Sequence, residues 1–198
     1  SEPATLNTEL FDRVFGKDAV TTEEEFINKI KETVAENYNR ESEHFLNHHI
    51  EDYFIKNTSI SIPEDFVKTW LKTSSKEITD EVLNTEFNSY VRSMKWDLIK
   101  SRIAEDNKIA VDAEEVRGKA KDMILAQFGG QAFAAQLGDR MDAIADNYLQ
   151  NENGKNFVRL YNQLRDEKIL KFIKDNITIQ EKKVTLEEFR KIVETHTH

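Results

Sequence analysis

The sequence predicts an all-α fold, and three observations carry that prediction. Helix breakers are scarce: the only prolines are Pro3 and Pro63, and three of the six glycines (Gly129, Gly130, Gly138) fall within ten residues of one another. Apolar residues recur mostly at three- and four-residue intervals, the spacing of one helix face. Helix-start signals stand at Thr22 with Glu25, Asp112 with Glu115, and Thr185 with Glu188. The expected architecture is an elongated multi-helix body with at most one or two very short strands.

The elements follow in order. Leu6 to Phe15 reads as a short helix closed by Gly16. The Thr22–Glu25 box opens a run continuing to about Lys56, ended by Asn57-Thr58-Ser59. Its apolar row, Phe26, Ile30, Val34, Tyr38, Leu46, Ile50 and Phe54, repeats every four residues with Ser42 as the polar interruption. A strict four-residue repeat drifts about 40° per step around a 3.6-residue helix, so the face moves by roughly 280° from one end to the other. The two ends must then pack on different neighbours, and the stretch Asn39 to His44, with no apolar residue, is expected to be solvated.

Ile60-Ser61-Ile62 alternates before Pro63, which suits a helix start, and Phe66, Val67, Trp70 and Leu71 form the apolar side of that helix. Lys72 to Lys76 is loop-like. A second long helix runs from about Thr79 to Asn107, with Leu83, Phe87, Tyr90, Val91, Met94 and Leu98 as one stripe and Trp96, Ile99 and Ile103 on roughly the opposite side. Asp112 opens a helix carrying Val116, Ala120, Met123, Ile124 and Phe128, stopped by Gly129-Gly130. A loop with Phe133 and Leu137 leads to a short helix from Asp139 to Gln150, a turn at Asn151-Glu152-Asn153-Gly154, and a helix from Lys155 to Asn176. Ile177-Thr178-Ile179 alternates as a short strand would, and Thr185 opens a last helix with Leu186, Phe189 and Val193.

Composition excludes several classes of function. Lys+Arg 28 against Asp+Glu 37 gives a net charge of −9, which opposes docking on a phosphate backbone, so no nucleic-acid partner is expected. Cysteine is absent, which removes disulfides, thiolate metal sites and cysteine nucleophiles. No apolar run approaches the roughly 18 residues of a membrane span, and no signal-peptide pattern opens the chain. The start at Ser1, without an initiator Met, leads us to expect a processed or excised piece.

Catalytic chemistry finds no foothold. His44 and His48 have the i, i+4 spacing of a metal-holding pair, with His49 adjoining, but no HExxH motif occurs and no third ligand can be placed. Gly129-Gly130 lacks the GK[ST] ending of a phosphate loop. Glu23-Glu24-Glu25 suits the first turn of a helix, where carboxylates complement the dipole. No catalytic residue, cofactor or resident metal is therefore expected, and the chain reads as a non-enzyme. Two apolar groups stand out as surface rather than core: Trp96, Ile99 and Ile103 on one side of their helix, and Met123, Phe128, Phe133, Leu137 and Met141 around the glycine-rich region. Met is flexible and polarisable, which suits a surface that accepts varied apolar partners. Trp96, Ile99, Ile103, Met123, Phe128, Phe133 and Met141 are the candidate binding residues.

The order of these features resembles a known family. Leu6-Asn7-Thr8-Glu9-Leu10-Phe11-Asp12-Arg13-Val14-Phe15-Gly16 looks like the short helix that follows the prolyl-isomerase domain of trigger factor, the bacterial ribosome-associated chaperone. Ile60-Ser61-Ile62-Pro63-Glu64 resembles that family's I-x-[IVL]-P segment. Glu167 to Ile173, Ile177-Thr178-Ile179 and Val184 to Phe189 resemble its closing elements. The isomerase domain and the ribosome-docking loop are absent from this sequence, and the region from Gly129 to Gly154 is longer than the family pattern.

The resemblance implies a single C-terminal chaperone domain: a body from 1–62 plus 169–198, and two protruding helical arms at about 63–110 and 111–168. It implies ATP-independent binding of hydrophobic segments of nascent or unfolded polypeptides, delaying their aggregation, in the cytoplasm. Contact with the ribosome, and any isomerase activity, would belong to parts of a parent protein missing here. Two other readings remain open at this stage. One is the helical domain of an exported periplasmic chaperone of the SurA type. The other is a non-enzymatic scaffold that forms a homodimer with its stripes buried between subunits. A metal enzyme using His44 and His48 is a more distant reading.

Overall fold

The computed structural model describes residues 6–74, 78–128 and 140–196. Among them are seven helices and no strand: α1 (Thr8–Phe15), α2 (Glu23–Asn57), α3 (Glu64–Ser74), α4 (Asp80–Asp106), α5 (Ala113–Phe128), α6 (Arg140–Asn176) and α7 (Leu186–His196). The chain divides into two compact units, 1–53 with 186–198, and 54–185. α2 supplies residues to both.

In the first unit, α1 starts where Asn7 Oδ1 accepts the Leu10 N–H at 2.9 Å, and it stops at Gly16, whose φ of 95° is open to a residue without a Cβ. Phe11, Val20 and Phe26 form a small core, with the Phe11 and Phe26 rings stacked 4.6 Å apart and Phe15 set edge-on to Phe26 at 5.4 Å. The predicted capping box is present at the head of α2. Thr22 Oγ1 accepts the Glu25 N–H at 3.2 Å, and Glu25 Oε2 accepts the N–H groups of Thr21 at 3.0 Å and Thr22 at 3.3 Å. Those donors, the Thr21 N–H first, hold the Glu25 carboxyl below its ordinary range.

The shifted faces of α2 are also present. Its buried residues are Phe26 near one end and Ile50 near the other. Phe26 packs on α1, whereas α7 lies along a later stretch, with Phe189 edge-on to Tyr38 at 6.1 Å and to Phe45 at 6.4 Å. Arg190 Nη2 donates to the Tyr38 hydroxyl at 3.3 Å. Between these contacts Ile30 and Val34 stay exposed, because the drifting row has left one neighbour and not yet reached the next.

The second unit holds two apolar centres. Val67 and Leu71 of α3 close on Leu83 and Phe87 of α4, flanked by Ile62, Ile78, Tyr90, Val91 and Met94. Thr79 Oγ1 caps α4 by accepting the Val82 N–H at 3.3 Å. The larger centre joins Val116, Ala120 and Ile124 of α5 to Met141, Ala145, Leu149 and Leu160 of α6. α6 is broken at 151–154, where Glu152, Asn153 and Gly154 all take positive φ (52°, 57° and 80°), as the predicted turn requires. The break folds 140–150 back so that both halves of α6 reach the same core. Asn156, at the edge of that core, donates from Nδ2 to the Tyr148 carbonyl at 3.0 Å.

Charge-assisted contacts fix α6 against its neighbours. At the start of α5, Asp112 Oδ1 accepts the Glu115 N–H at 2.9 Å, and Glu115 Oε2 accepts the Asp112 N–H at 3.0 Å. Lys168 Nζ of α6 then donates to Glu115 Oε2 at 2.7 Å and to the Ala110 carbonyl at 2.7 Å. Lys168 first, and the Asp112 N–H second, hold the Glu115 carboxyl below its usual range. On α4, Lys100 Nζ reaches Asp166 at 2.8 Å and Ser101 Oγ accepts from Arg165 at 3.1 Å.

Two expectations are corrected. Ile177-Thr178-Ile179 does not form a strand and is irregular. Alternation presents two faces, but a strand also needs a neighbouring backbone for its N–H and C=O groups, and no described segment supplies one. Leu98, assigned to the buried stripe of α4, is 51% exposed. The α3 contact covers that stripe only as far as Met94.

Leu160 is 1% exposed at the centre of the α5–α6 core, so Leu160→Ala should destabilise the second unit by about 2–4 kcal/mol, read from the urea midpoint. Leu98→Ala should stay within about 0.5 kcal/mol of wild type. Glu115→Gln tests the α5–α6 link. Because the carboxyl is depressed in the folded chain, its contribution is whole above the unfolded range near pH ~4.3 and fades as pH falls through the lower folded value. Wild type and variant should therefore differ in stability at pH 6 and converge in strong acid.

Candidate functional site

A helix buries only the arc that a neighbour covers, and α3 carries more apolar arc than it can bury. At 100° per residue, Phe66, Trp70, Val67 and Leu71 lie at roughly 0°, 40°, 100° and 140° around the axis. α4 covers the far half, leaving Val67 3% and Leu71 7% exposed. The near half remains outside: Phe66 is 68% exposed and Trp70 52%. The two aromatics are four residues apart and therefore adjacent on the surface.

The flanking hydroxyls do not break the patch. Thr69 Oγ1 donates to the Asp65 carbonyl at 2.9 Å, Thr73 Oγ1 to the Trp70 carbonyl at 2.9 Å, and Ser74 Oγ to the same carbonyl at 2.8 Å. Turned onto the backbone, they satisfy themselves locally and leave the aromatic faces as the dominant exposed chemistry. An exposed Trp–Phe pair offers large apolar area with little side-chain entropy to lose on binding.

A second apolar feature lies where α6 breaks. An open groove of about 460 Å³ is lined by Leu149, Phe157 and Val158, with Arg117 and Asp146 on its wall. Arg117 Nε donates to Asp146 Oδ1 at 2.7 Å. Val158 is 56% exposed at its rim.

The residues predicted from the sequence separate into three groups. Met123 is 38% exposed on α5 and remains available. Trp96 and Ile103 are half-buried, with Trp96 lying 6.3 Å from the Phe54 ring and under Lys100 Nζ at 5.9 Å. Ile99, at 5%, and Met141, at 7%, are core residues. Ile99 is one of the buried residues of α4, and Met141 belongs to the α5–α6 core. Phe133 and Leu137 lie outside the described residues, as does the side chain of Phe128. Phe66 and Trp70, expected only as part of the apolar side of α3, were not among the candidate binding residues. The signal that marks them is the width of the α3 arc, about 140° on a helix of only 11 residues.

Among the described residues no group of three or more histidines, aspartates and glutamates is arranged to hold a metal ion. None of the described helices is long and apolar enough to cross a membrane.

An all-α domain that carries exposed aromatic surface is the class of protein these features define. The chain belongs to the family described as "Probable trigger factor, C-terminal domain", whose sequence model matches residues 42–193. The match begins within α2, so the Leu6–Gly16 motif lies outside it. No curated protein and no solved structure matches the chain. Membership of this family points to a chaperone-related function and to unfolded polypeptides as partners.

If Phe66 and Trp70 serve binding rather than packing, replacing both with Ser should leave the folding free energy within about 0.5 kcal/mol of wild type. Val67→Ala on the buried half should cost about 1–3 kcal/mol in the same urea titration.

Proposed function

We propose that this domain is an ATP-independent chaperone module that holds apolar segments of nascent or unfolded polypeptides and delays their aggregation. The exposed Phe66–Trp70 pair on α3 carries the proposal, and the groove beside Val158 and the Met123 side chain supply separate weaker contacts. Each client segment that buries ~200 Å² gains about 5 kcal/mol before entropic losses, at ~25 cal/mol per Å². Ordering costs reduce that to a weak net affinity per site. Several such sites on one chain raise retention through effective concentration, while each contact still exchanges quickly.

Release needs no nucleotide, because a client that folds withdraws its own apolar segments. The net charge of −9 opposes self-association of a molecule with aromatics on its surface. In this proposal the domain carries no enzymatic activity and acts in the cytoplasm. Attachment to the ribosome, and any isomerase activity, belong to other parts of a parent protein. The body-and-arms division expected at 1–62 with 169–198, 63–110 and 111–168 belongs to the same proposal.

The test is suppression of aggregation of a chemically denatured protein. Low-micromolar wild-type chain should suppress light scattering, and the Phe66→Ser/Trp70→Ser variant should need several-fold more protein for the same effect. In a Trp96→Phe background, Trp70 emission should shift to shorter wavelength when an unfolded client is added. Full suppression by the double variant, with Trp70 emission unmoved, would remove this surface from the function. A tight dimer that buries the same aromatics at low concentration would favour a scaffold instead.

A further inference from the structure

α2 carries a histidine pair that the chaperone reading does not use. His44 and His48 are four residues apart on an exposed part of that helix, so they rise from adjacent turns on the same face. Their rings lie 4.7 Å apart, centroid to centroid, and are tilted by 58°, away from the parallel arrangement of a stacked pair. A metal ion ~2.0–2.1 Å from one nitrogen of each ring, with roughly 90–110° between the two bonds, sets the centroids about 4.5–5.2 Å apart. The observed spacing falls inside that window.

Among the described residues neither ring makes a hydrogen bond or an ion pair. His49 is different. It sits about 100° further round the helix than His48, its ring lies 4.2 Å from that of Phe45 and tilted by 52°, and its Nδ1 is 3.2 Å from the Phe45 carbonyl. The site is therefore the pair and not the triplet. Glu41 stands one turn before it, beside Arg40 and facing Arg190, and Glu51 and Asp52 stand one turn after, on a chain of net charge −9.

We infer that His44 and His48 form a two-imidazole binding site for a borderline divalent transition-metal ion of the Ni²⁺, Cu²⁺ and Zn²⁺ class. Imidazole nitrogen suits these ions, whereas Mg²⁺ and Ca²⁺ prefer oxygen donors and should not compete. Water completes the coordination sphere, which an exposed site permits. Both ligands are in place only while the 44–48 turn is helical, so a bound ion selects the helical state of that stretch. The inference is independent of the chaperone function.

The experiment is calorimetric titration of the 198-residue chain with Ni²⁺, alongside His44→Ala, His48→Gln, His49→Ala and a His196→Ala/His198→Ala variant. One ion should bind per chain at the pair. His44→Ala and His48→Gln should each weaken it about tenfold or more, because the second imidazole acts at high effective concentration. His49→Ala and the terminal variant should bind as wild type does, and 10 mM Mg²⁺ should not displace the ion. Circular dichroism should be the same for all variants, since both rings are exposed. Hydrogen exchange of the amides around 44–48 should slow with Ni²⁺ in wild type and not in His48→Gln. Binding that survives loss of His44 and His48, or that vanishes with His196 and His198, overturns the assignment.

Discussion

The amount of each helix that a neighbour covers decides what this molecule can do. α3 lies on α4, α5 lies on α6, and α4 touches α6 further along. A single partner shields an arc of about 100° of a helix, whereas α3 carries apolar residues over about 140°. The surplus has to face water. Burying Val67 and Leu71 therefore leaves Phe66 and Trp70 outside, and the patch is a consequence of the same packing that stabilises the unit.

The ion pairs play a supporting part. Lys168 bridges the Glu115 cap and the Ala110 carbonyl, and Lys100 reaches Asp166, so α4 and the start of α5 both hold α6 within one turn, at 166–168. Lys168, Glu115 and Asp166 are each more than a third exposed while Lys100 is largely covered, and pairs that reach solvent contribute little to stability. Their value lies in fixing the register between helices whose apolar contacts alone would allow some sliding. The break in α6 adds the other constraint. By returning 140–150 alongside 155–176 it brings Met141, Ala145 and Leu149 into one core with Leu160, and it opens the groove at the turn.

The proposed function asks the apolar sites to bind, each weakly. Among the described residues the titratable groups whose pKa is shifted serve capping and inter-helix contacts, such as Glu25 beneath the Thr21 N–H and Glu115 against Lys168. A surface that grips many partners needs area, low entropy cost and easy release, and an aromatic pair on a short helix meets those needs.

The helices, their caps and the turn at 151–154 were legible in the residues, because capping boxes, glycine stops and apolar spacing act over three or four positions. The drift along α2 was legible for the same reason: a four-residue repeat cannot keep one face. What only the tertiary structure decided is which side of each arc gains a partner. Ile99 and Phe66 are both large apolar residues on helices with a wide apolar arc, yet one is buried and the other open. Periodicity records where apolar residues lie around an axis and carries no information on where the next helix will come to rest. That position depends on contacts between residues far apart in the chain, such as Lys100 with Asp166 and Val116 with Leu160, and these exist only once the chain has folded.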